Sequence, residues 1–106
     1  MPEFVTVAKA DEIAPGYIKL VEVRGHKIAL CNADGTFYAI DDTCTHQENS
    51  LSDGEIEGES IVCISHGSMF NLRTGIVERG PAEQATKTHH VHIVGDEIKI
   101  AIPETQ

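Results

Sequence analysis

Two short stretches, CTH at residues 44–46 and CISHGSMF at residues 63–70, decide how this sequence is interpreted. Each stretch holds a cysteine and a histidine close together, as C-x-H and C-x-x-H, and sixteen residues separate His46 from Cys63. Two such pairs on two loops can close on one metal centre from two sides. Both lie in a loop-rich region between about residues 41 and 83, and long loops in compact domains usually carry function. The candidate metal ligands are therefore Cys44, His46, Cys63 and His66.

The rest of the sequence predicts short β-strands. No segment shows a 3.6-residue apolar period over ten or more residues, and residues 10–14 could form one helical turn at most. Turn signals separate the apolar, often β-branched segments, which is typical of hairpins. We expect an all-β fold, an antiparallel sandwich or partly open barrel. The expected strands are Glu3–Val7, Tyr17–Val23, His26–Cys31, Thr36–Ile40, Thr88–Val94 and Glu97–Ile102.

Length and composition limit the possible functions. The 106 residues fit one domain, and a formal net charge of -9 disfavours nucleic acid and anionic membrane surfaces. The N-terminus lacks the basic and apolar regions of a secretory signal, and no run is long enough to span a bilayer. Three cysteines, an odd number, do not suit a disulfide framework. We therefore expect a cytoplasmic protein whose thiols are available for metal.

The four candidate ligands alone leave three interpretations open. Two thiolates and two imidazoles can hold a [2Fe–2S] cluster, with the cysteines on one iron and the histidines on the other. The same ligands can hold a tetrahedral zinc ion. The spacing could also be a coincidence without metal. The flanking residues distinguish these interpretations: HGSMFNLRTG at 66–75, QENSLSDG at 47–54 and GPA at 80–82.

With these flanks, the sequence resembles the Rieske ferredoxins of bacterial ring-hydroxylating dioxygenase systems over nearly its whole length. The resemblance implies a basal β domain of about residues 1–40 and 84–106 and a cluster-binding subdomain of about 41–83. It also implies one [2Fe–2S] cluster held by Cys44 and Cys63 on one iron and by His46 and His66 on the other. Around the cluster it places Ser68, Phe70, Leu51 and Pro81, and at the docking surface Gln47, Glu48, Asn49, Gly67 and Pro81.

The resemblance further implies a one-electron carrier that is not itself an enzyme. Electrons would come from a flavin-dependent, NAD(P)H-oxidising reductase and pass to a terminal Rieske non-haem-iron oxygenase during transient docking. The alternatives are a small subunit of another oxidoreductase, such as a nitrite-reductase-like complex, and a zinc-stabilised binding module. Asn49, Ser65 and Phe70 stand where high-potential Rieske proteins have a cysteine pair and a tyrosine, so we expect a low redox potential. We also expect the protein to be a monomer in solution.

Other chemically active residues have simpler explanations. Cys31 lies in an alternating strand and is expected to be a small buried thiol. His89, His90 and His92 look like a metal-binding tract but are predicted to lie on a solvated strand, and His26 has no evident partner. Exposed acids at Asp41 and Asp42, and at Glu55, Glu57 and Glu59, could contact a basic partner.

Overall fold

The chain folds into short antiparallel strands, seen in a computed structural model that describes residues 3–23, 25–42, 50–63, 67–80 and 85–102. Two 3-10 turns, Ala10–Glu12 and Leu51–Asp53, accompany them. The strands are β1 Glu3–Lys9, β2 Ile18–Val23, β3 His26–Ala33, β4 Thr36–Asp41, β5 Glu55–Glu57, β6 Ser60–Val62, β7 Met69–Asn71, β8 Val77–Arg79, β9 Thr88–His89, β10 Val91–Val94 and β11 Glu97–Ile102. The predicted all-β fold is confirmed.

The strands form three sheets. The outer sheet has the order β1-β11-β10, the central sheet β2-β3-β4-β9, and the small sheet β5-β6-β7-β8. Every pairing within them is antiparallel across the described strands. The small sheet is built entirely from residues 55–79, and the strands of the other two sheets lie outside that range.

Two buried cores lie on opposite faces of the central sheet, because successive side chains of a strand point to opposite faces. On one face, Ile28 and Leu30 of β3 pack with Ile98 and Ile100 of the outer sheet. On the other face, the alternate β3 residues pack with residues of the small sheet and of the loops around it. This second core contains Ala29, Cys31, Ala33, Ile40, Leu51, Ile61, Cys63, Phe70 and Leu72.

The hairpins follow local sequence signals. β3 and β4 are joined by Asp34-Gly35, and both residues have positive φ, 55° and 94°. Positive φ at both central positions defines the type I′ turn, whose twist matches that of paired strands. β2 with β3, β3 with β4, and β10 with β11 each pair antiparallel, as expected for hairpins at the turn signals between the predicted strands.

Two expectations about strands were wrong. The predicted strand Thr88–Val94 is interrupted at His90: β9 pairs with β4 in the central sheet, whereas β10 pairs with β11 in the outer sheet. Residues within 41–83, expected to be mostly loops, contain the four strands of the small sheet. Three-residue strands are too short to show a clear alternation. The division into a basal domain and a cluster-binding subdomain stays a prediction.

Candidate metal centre

Cys63 is buried, and its backbone is bonded to residues 67 and 68. It follows β6 directly, and only 2% of its surface is exposed. Its backbone N–H donates to the carbonyl of Ser68 at 2.7 Å, and the N–H of Gly67 donates to the carbonyl of Cys63 at 3.0 Å. These two bonds fix both ends of the 63–68 segment before β7 begins at Met69. The thiol of Cys63 is thus carried by a backbone that is held in place on both sides.

An apolar base, formed by Leu51, Ile61, Phe70 and Leu72, belongs to the same buried core as Cys63. Leu51, Ile61 and Phe70 have no exposed surface at all, and Leu72 has 1%. Ser68, predicted beside the cluster, is also buried. This surrounding excludes water from the neighbourhood of Cys63 and lowers the local dielectric, which strengthens electrostatic effects there.

The buried carboxylate of Asp42 accepts hydrogen bonds from residues 50 and 52. Asp42 is 3% exposed, and its Oδ1 accepts a hydrogen bond from the backbone N–H of Ser52 at 2.8 Å. Its Oδ2 accepts from the hydroxyl of Ser50, and its backbone carbonyl accepts from the N–H of Leu51. The expectation that Asp42 is an exposed docking acid is therefore wrong, because its carboxylate is used inside the fold.

The small sheet is braced by a second carboxylate. Glu78 on β8 accepts hydrogen bonds from the Ser60 hydroxyl on β6 and from the Asn71 amide on β7, the latter at 2.9 Å. The hydrogen bond from Ser60, followed by the one from Asn71, holds the pKa of Glu78 below its usual value. The Asn71 side-chain oxygen also accepts from the backbone N–H groups of Arg73 and Thr74. These contacts fix the strand that follows the 63–68 loop.

Several predicted site residues lie outside the described residues: Cys44, His46, Gln47, Glu48, Asn49, His66 and Pro81. Within the described part, Cys63 is placed with Leu51 and Phe70 in one core, and Ser68 and Gly67 close its loop. A buried cysteine above an apolar base fits a thiolate-bound iron–sulfur cluster, and two thiolates with two imidazoles are the donor set of a Rieske centre.

The sequence profile of the Rieske [2Fe–2S] domain matches residues 3–92. The "Biphenyl dioxygenase ferredoxin subunit" of Pseudomonas sp. (strain KKS102) is 35% identical over 98 residues, 92% of this chain and 90% of that protein. The "3-phenylpropionate/cinnamic acid dioxygenase ferredoxin subunit" of Shigella flexneri serotype 5b (strain 8401) is 42% identical over 80 residues, 74% of this chain and 76% of that protein. The solved structure described as a complex of reduced oxygenase and oxidized ferredoxin in carbazole 1,9a-dioxygenase contains a chain with a TM-score of 0.88 and 33% identity, and the match covers 92% of both chains.

The fold and the matching profile define a Rieske protein, and the chain belongs to the Rieske [2Fe–2S] domain family. A domain of this family carries one [2Fe–2S] cluster, which decides the question in favour of iron–sulfur and against zinc. Within the family, this chain is an electron-transfer protein of the ferredoxin type rather than a catalytic enzyme. Among the described residues, no helix has the length and apolar character needed to cross a membrane.

The structure also brings together three residues that the sequence analysis treated separately. His26, Asp41 and His89 meet at one end of the central sheet. The expectation of a solvated face is wrong for His89, whose side chain is only 4% exposed, whereas His90 and His92 are exposed as expected. No local signal in the sequence marks this group, because Asp41 is 15 residues from His26 and 48 residues from His89.

Proposed function

We propose that this chain carries single electrons to a terminal ring-hydroxylating oxygenase, after receiving them from an NAD(P)H-dependent flavoprotein reductase. The support is that relatives aligned along most of the chain are ferredoxin subunits of such dioxygenases. The proposed ligands are Cys44 and Cys63 for one iron and His46 and His66 for the other. When bound, a cluster of this type accepts one electron and gives it back.

The proposed ligands make reduction easier than four thiolates would. Two thiolates would balance the +2 charge of an oxidised [2Fe–2S] core and two neutral imidazoles would add none, so a site with these ligands would go from neutral to -1 on reduction. Four thiolates would require a change from -2 to -3, which costs more in a low dielectric. The apolar base beneath Cys63 keeps water away, and this limits the solvent rearrangement that accompanies electron transfer.

We expect a potential near the low end of the Rieske range, on the order of -150 mV. The residue that supports this expectation is Phe70, which is fully buried in the core of Cys63 and has no hydroxyl to donate to a ligand sulfur. A hydrogen bond to a sulfur stabilises the reduced form, and its absence keeps the potential down. A redox titration with a clearly positive midpoint would contradict this expectation.

The proposed docking surface is the cluster tip, with Gln47, Glu48, Asn49, Gly67 and Pro81, in a cluster-binding subdomain of about residues 41–83. Glu55, Glu57 and Glu59 of the small sheet and its turn are exposed. With a net charge of -9, such acids favour encounter with a basic partner surface, because complementary fields raise association rates. A monomer in the cytoplasm that docks transiently fits this role.

Ligand substitutions test the proposed site. Cys44→Ser, His46→Gln, Cys63→Ser and His66→Gln should each abolish the red-brown colour and the stoichiometry of two irons and two acid-labile sulfides. Cys31→Ser is the matched control, because Cys31 is buried in the same core but is not a proposed ligand. Loss of the cluster in the control, or its retention in a ligand variant, would refute the ligand assignment.

Electron delivery is tested by stopped-flow mixing of the reduced protein with candidate terminal oxygenases. Oxidation of this chain and reduction of the oxygenase should proceed at equal rates, and the rate should fall as salt is added. A charge-reversed variant, Glu57→Lys, should be slower than the wild type at low salt only. Co-purification with another oxidoreductase at fixed stoichiometry, without transfer to any oxygenase, would instead favour the subunit of a nitrite-reductase-like complex.

A further inference from the structure

Three adjacent strands of the central sheet place His26, Asp41 and His89 on one face. Asp41 lies opposite Ile28 of β3, two residues from His26, and Ala39 of β4 lies opposite His89 of β9. Side chains two residues apart share a face, and paired residues of antiparallel strands share it as well. Asp41 is therefore the diagonal neighbour of a histidine on each flanking strand. We call these three residues the His–Asp–His cluster.

The backbone around this cluster is fixed by hydrogen bonds. The N–H of Asp41 donates to the carbonyl of Lys87 at 2.9 Å, two residues before His89. The N–H of Asp42 donates to the carbonyl of Lys27 at 3.1 Å, immediately after His26. These bonds tie the end of β4 to both flanking strands. The three side chains thus project from a preorganised frame rather than from a loose loop.

The three ligand-type atoms converge on one point. A single carboxylate oxygen, Asp41 Oδ1, accepts from His89 Nε2 at 2.7 Å and from His26 Nε2 at 3.1 Å. The two imidazole rings are nearly perpendicular, at 84°, with centroids 5.6 Å apart. All three atoms lie within 4.8 Å of one another. The imidazole of His89 is almost wholly buried yet turns its polar edge towards this point.

The geometry points to a binding site for a divalent transition-metal ion, such as Zn²⁺ or Cu²⁺, held by His26 Nε2, Asp41 Oδ1 and His89 Nε2. Zinc binds imidazole nitrogen and carboxylate oxygen at about 2.0–2.2 Å, and a tetrahedral ion then separates its ligand atoms by about 3.3–3.5 Å. To reach this separation, the His26–Asp41 distance of 3.1 Å needs to open by about 0.2–0.4 Å and the His89–Asp41 distance of 2.7 Å by about 0.6–0.8 Å. The metal would replace the imidazole protons that now point at the carboxylate.

An ion would enter from the side of His26. The side chains of His26 and Asp41 are 44% and 25% exposed, whereas that of His89 closes the site from within. Three protein ligands leave one tetrahedral position for water or a small anion, as in zinc sites with an open position. The negative charge of the whole chain raises the local cation concentration.

The proposed site is separate from the core of Cys63. Ala39 and Ile28, which share the face of the His–Asp–His cluster, belong to the core beneath the outer sheet. Ile40, the residue before Asp41, points the other way and belongs to the core of Cys63. The central sheet therefore stands between the two positions, and this proposal does not depend on the proposed electron-carrier role.

The test uses the oxidised holoprotein, so that the proposed cluster ligands are already occupied. After removal of adventitious metal and confirmation of two irons per chain, Zn²⁺ is titrated calorimetrically. One equivalent should bind, and His26→Gln, Asp41→Asn and His89→Gln should each weaken binding by at least about 10- to 100-fold. The matched control is His92→Gln, which removes an exposed histidine outside the cluster and should leave the affinity unchanged.

Cu²⁺ provides a second readout that reports the ligands themselves. The oxidised cluster is EPR-silent, since its two ferric ions are antiferromagnetically coupled, so one bound Cu²⁺ should give a clear tetragonal signal. Two imidazole nitrogens should split it into five superhyperfine lines, and His26→Gln should reduce these to three. Because His26 is largely exposed, that variant stays informative if His89→Gln fails to fold. The proposal would be overturned if no stoichiometric binding were seen, or if His92→Gln abolished binding while His26→Gln left it intact. The His–Asp–His cluster would then be held by hydrogen bonds alone, without a metal ion.

Discussion

Gly54→Ala should strongly destabilise the small sheet, because the backbone of β6 passes very close to this glycine. A Cβ at residue 54 would lie 1.9 Å from the carbonyl oxygen of Val62 and 3.2 Å from that of Leu51. Gly54 has a φ of -87°, which alanine adopts readily, so backbone conformation adds little to the cost. The whole effect should come from the close approach of two backbone segments.

The size of the effect follows from the distance. A Cβ does not approach a carbonyl oxygen closer than 3.0 Å, so the two strands must separate by about 1.1 Å. Overpacking of this kind costs about 1–3 kcal/mol, and each β5–β6 hydrogen bond that weakens adds about 0.5–1.5 kcal/mol. The total is about 2–4 kcal/mol. For a chain of 106 residues, a loss of 1 kcal/mol lowers the unfolding midpoint by about 4–5 °C, so the expected fall is about 8–20 °C.

The assay is thermal unfolding of the holoprotein at one scan rate, followed by circular dichroism and by cluster absorbance. Gly95→Ala is the matched control: Gly95 has a φ of 62° and open space around it, so only conformational strain of about 1 kcal/mol applies. Because Val62 directly precedes Cys63, we also expect altered EPR g values in Gly54→Ala and not in the control. Midpoints that fall equally in both variants, or a Gly54→Ala protein as stable as wild type, would refute the reasoning.

Three further predictions concern the potential and the alkaline stability. Phe70→Tyr should raise the midpoint potential, because the added hydroxyl would donate a hydrogen bond to a ligand sulfur, and Ser68→Ala should lower it, because the Ser68 hydroxyl would otherwise donate to a bridging sulfide of the cluster. A hydrogen bond to a charged group contributes about 1.5–3 kcal/mol, so each change should be on the order of 100 mV. Protein-film voltammetry measures both midpoints, and unchanged values would exclude these two hydrogen bonds. Burial, and then the charge of Asp42, raises the pKa of Cys31 from 9.0 to about 12. The thiol therefore stabilises the folded state fully below about pH 9, and this contribution is lost as the pH rises towards 12. Denaturant unfolding at several pH values should show a smaller alkaline loss of stability in Cys31→Ala, and equal losses would contradict the assigned cause.

The sequence predicted the parts of the fold that depend on local signals. The β3–β4 hairpin follows from alternation on both sides of Asp34-Gly35, and both signals lie within a few residues of each other. The break at His90 could not be predicted, because it depends on which sheet each half of the segment joins. An uninterrupted β-rich segment is consistent with one long strand, and only tertiary pairing divides it.

The two candidate metal sites differ in the same way. The sequence analysis identified Cys63 because His66 lies three residues away in a specific motif. The roles of Cys44, His46 and His66 as ligands stay predictions. The His–Asp–His cluster was missed because Asp41 and His89 are 48 residues apart and meet only through the register of β4 and β9. Asp42 was misjudged for a related reason, since charge alone does not reveal that a carboxylate is buried among hydrogen-bond donors.

The shared strand β3 limits how this protein can be divided or recombined. One set of its side chains, Ile28 and Leu30, completes the core of the outer sheet, and the alternate set, Ala29 and Cys31, completes the core of Cys63. A fragment of residues 50–80 placed in a foreign host would expose Phe70 and Leu51 unless that host supplied an equivalent two-faced wall. Transplanting the redox centre therefore requires moving β3 and β4 with it, and an engineer should choose cut points beyond them.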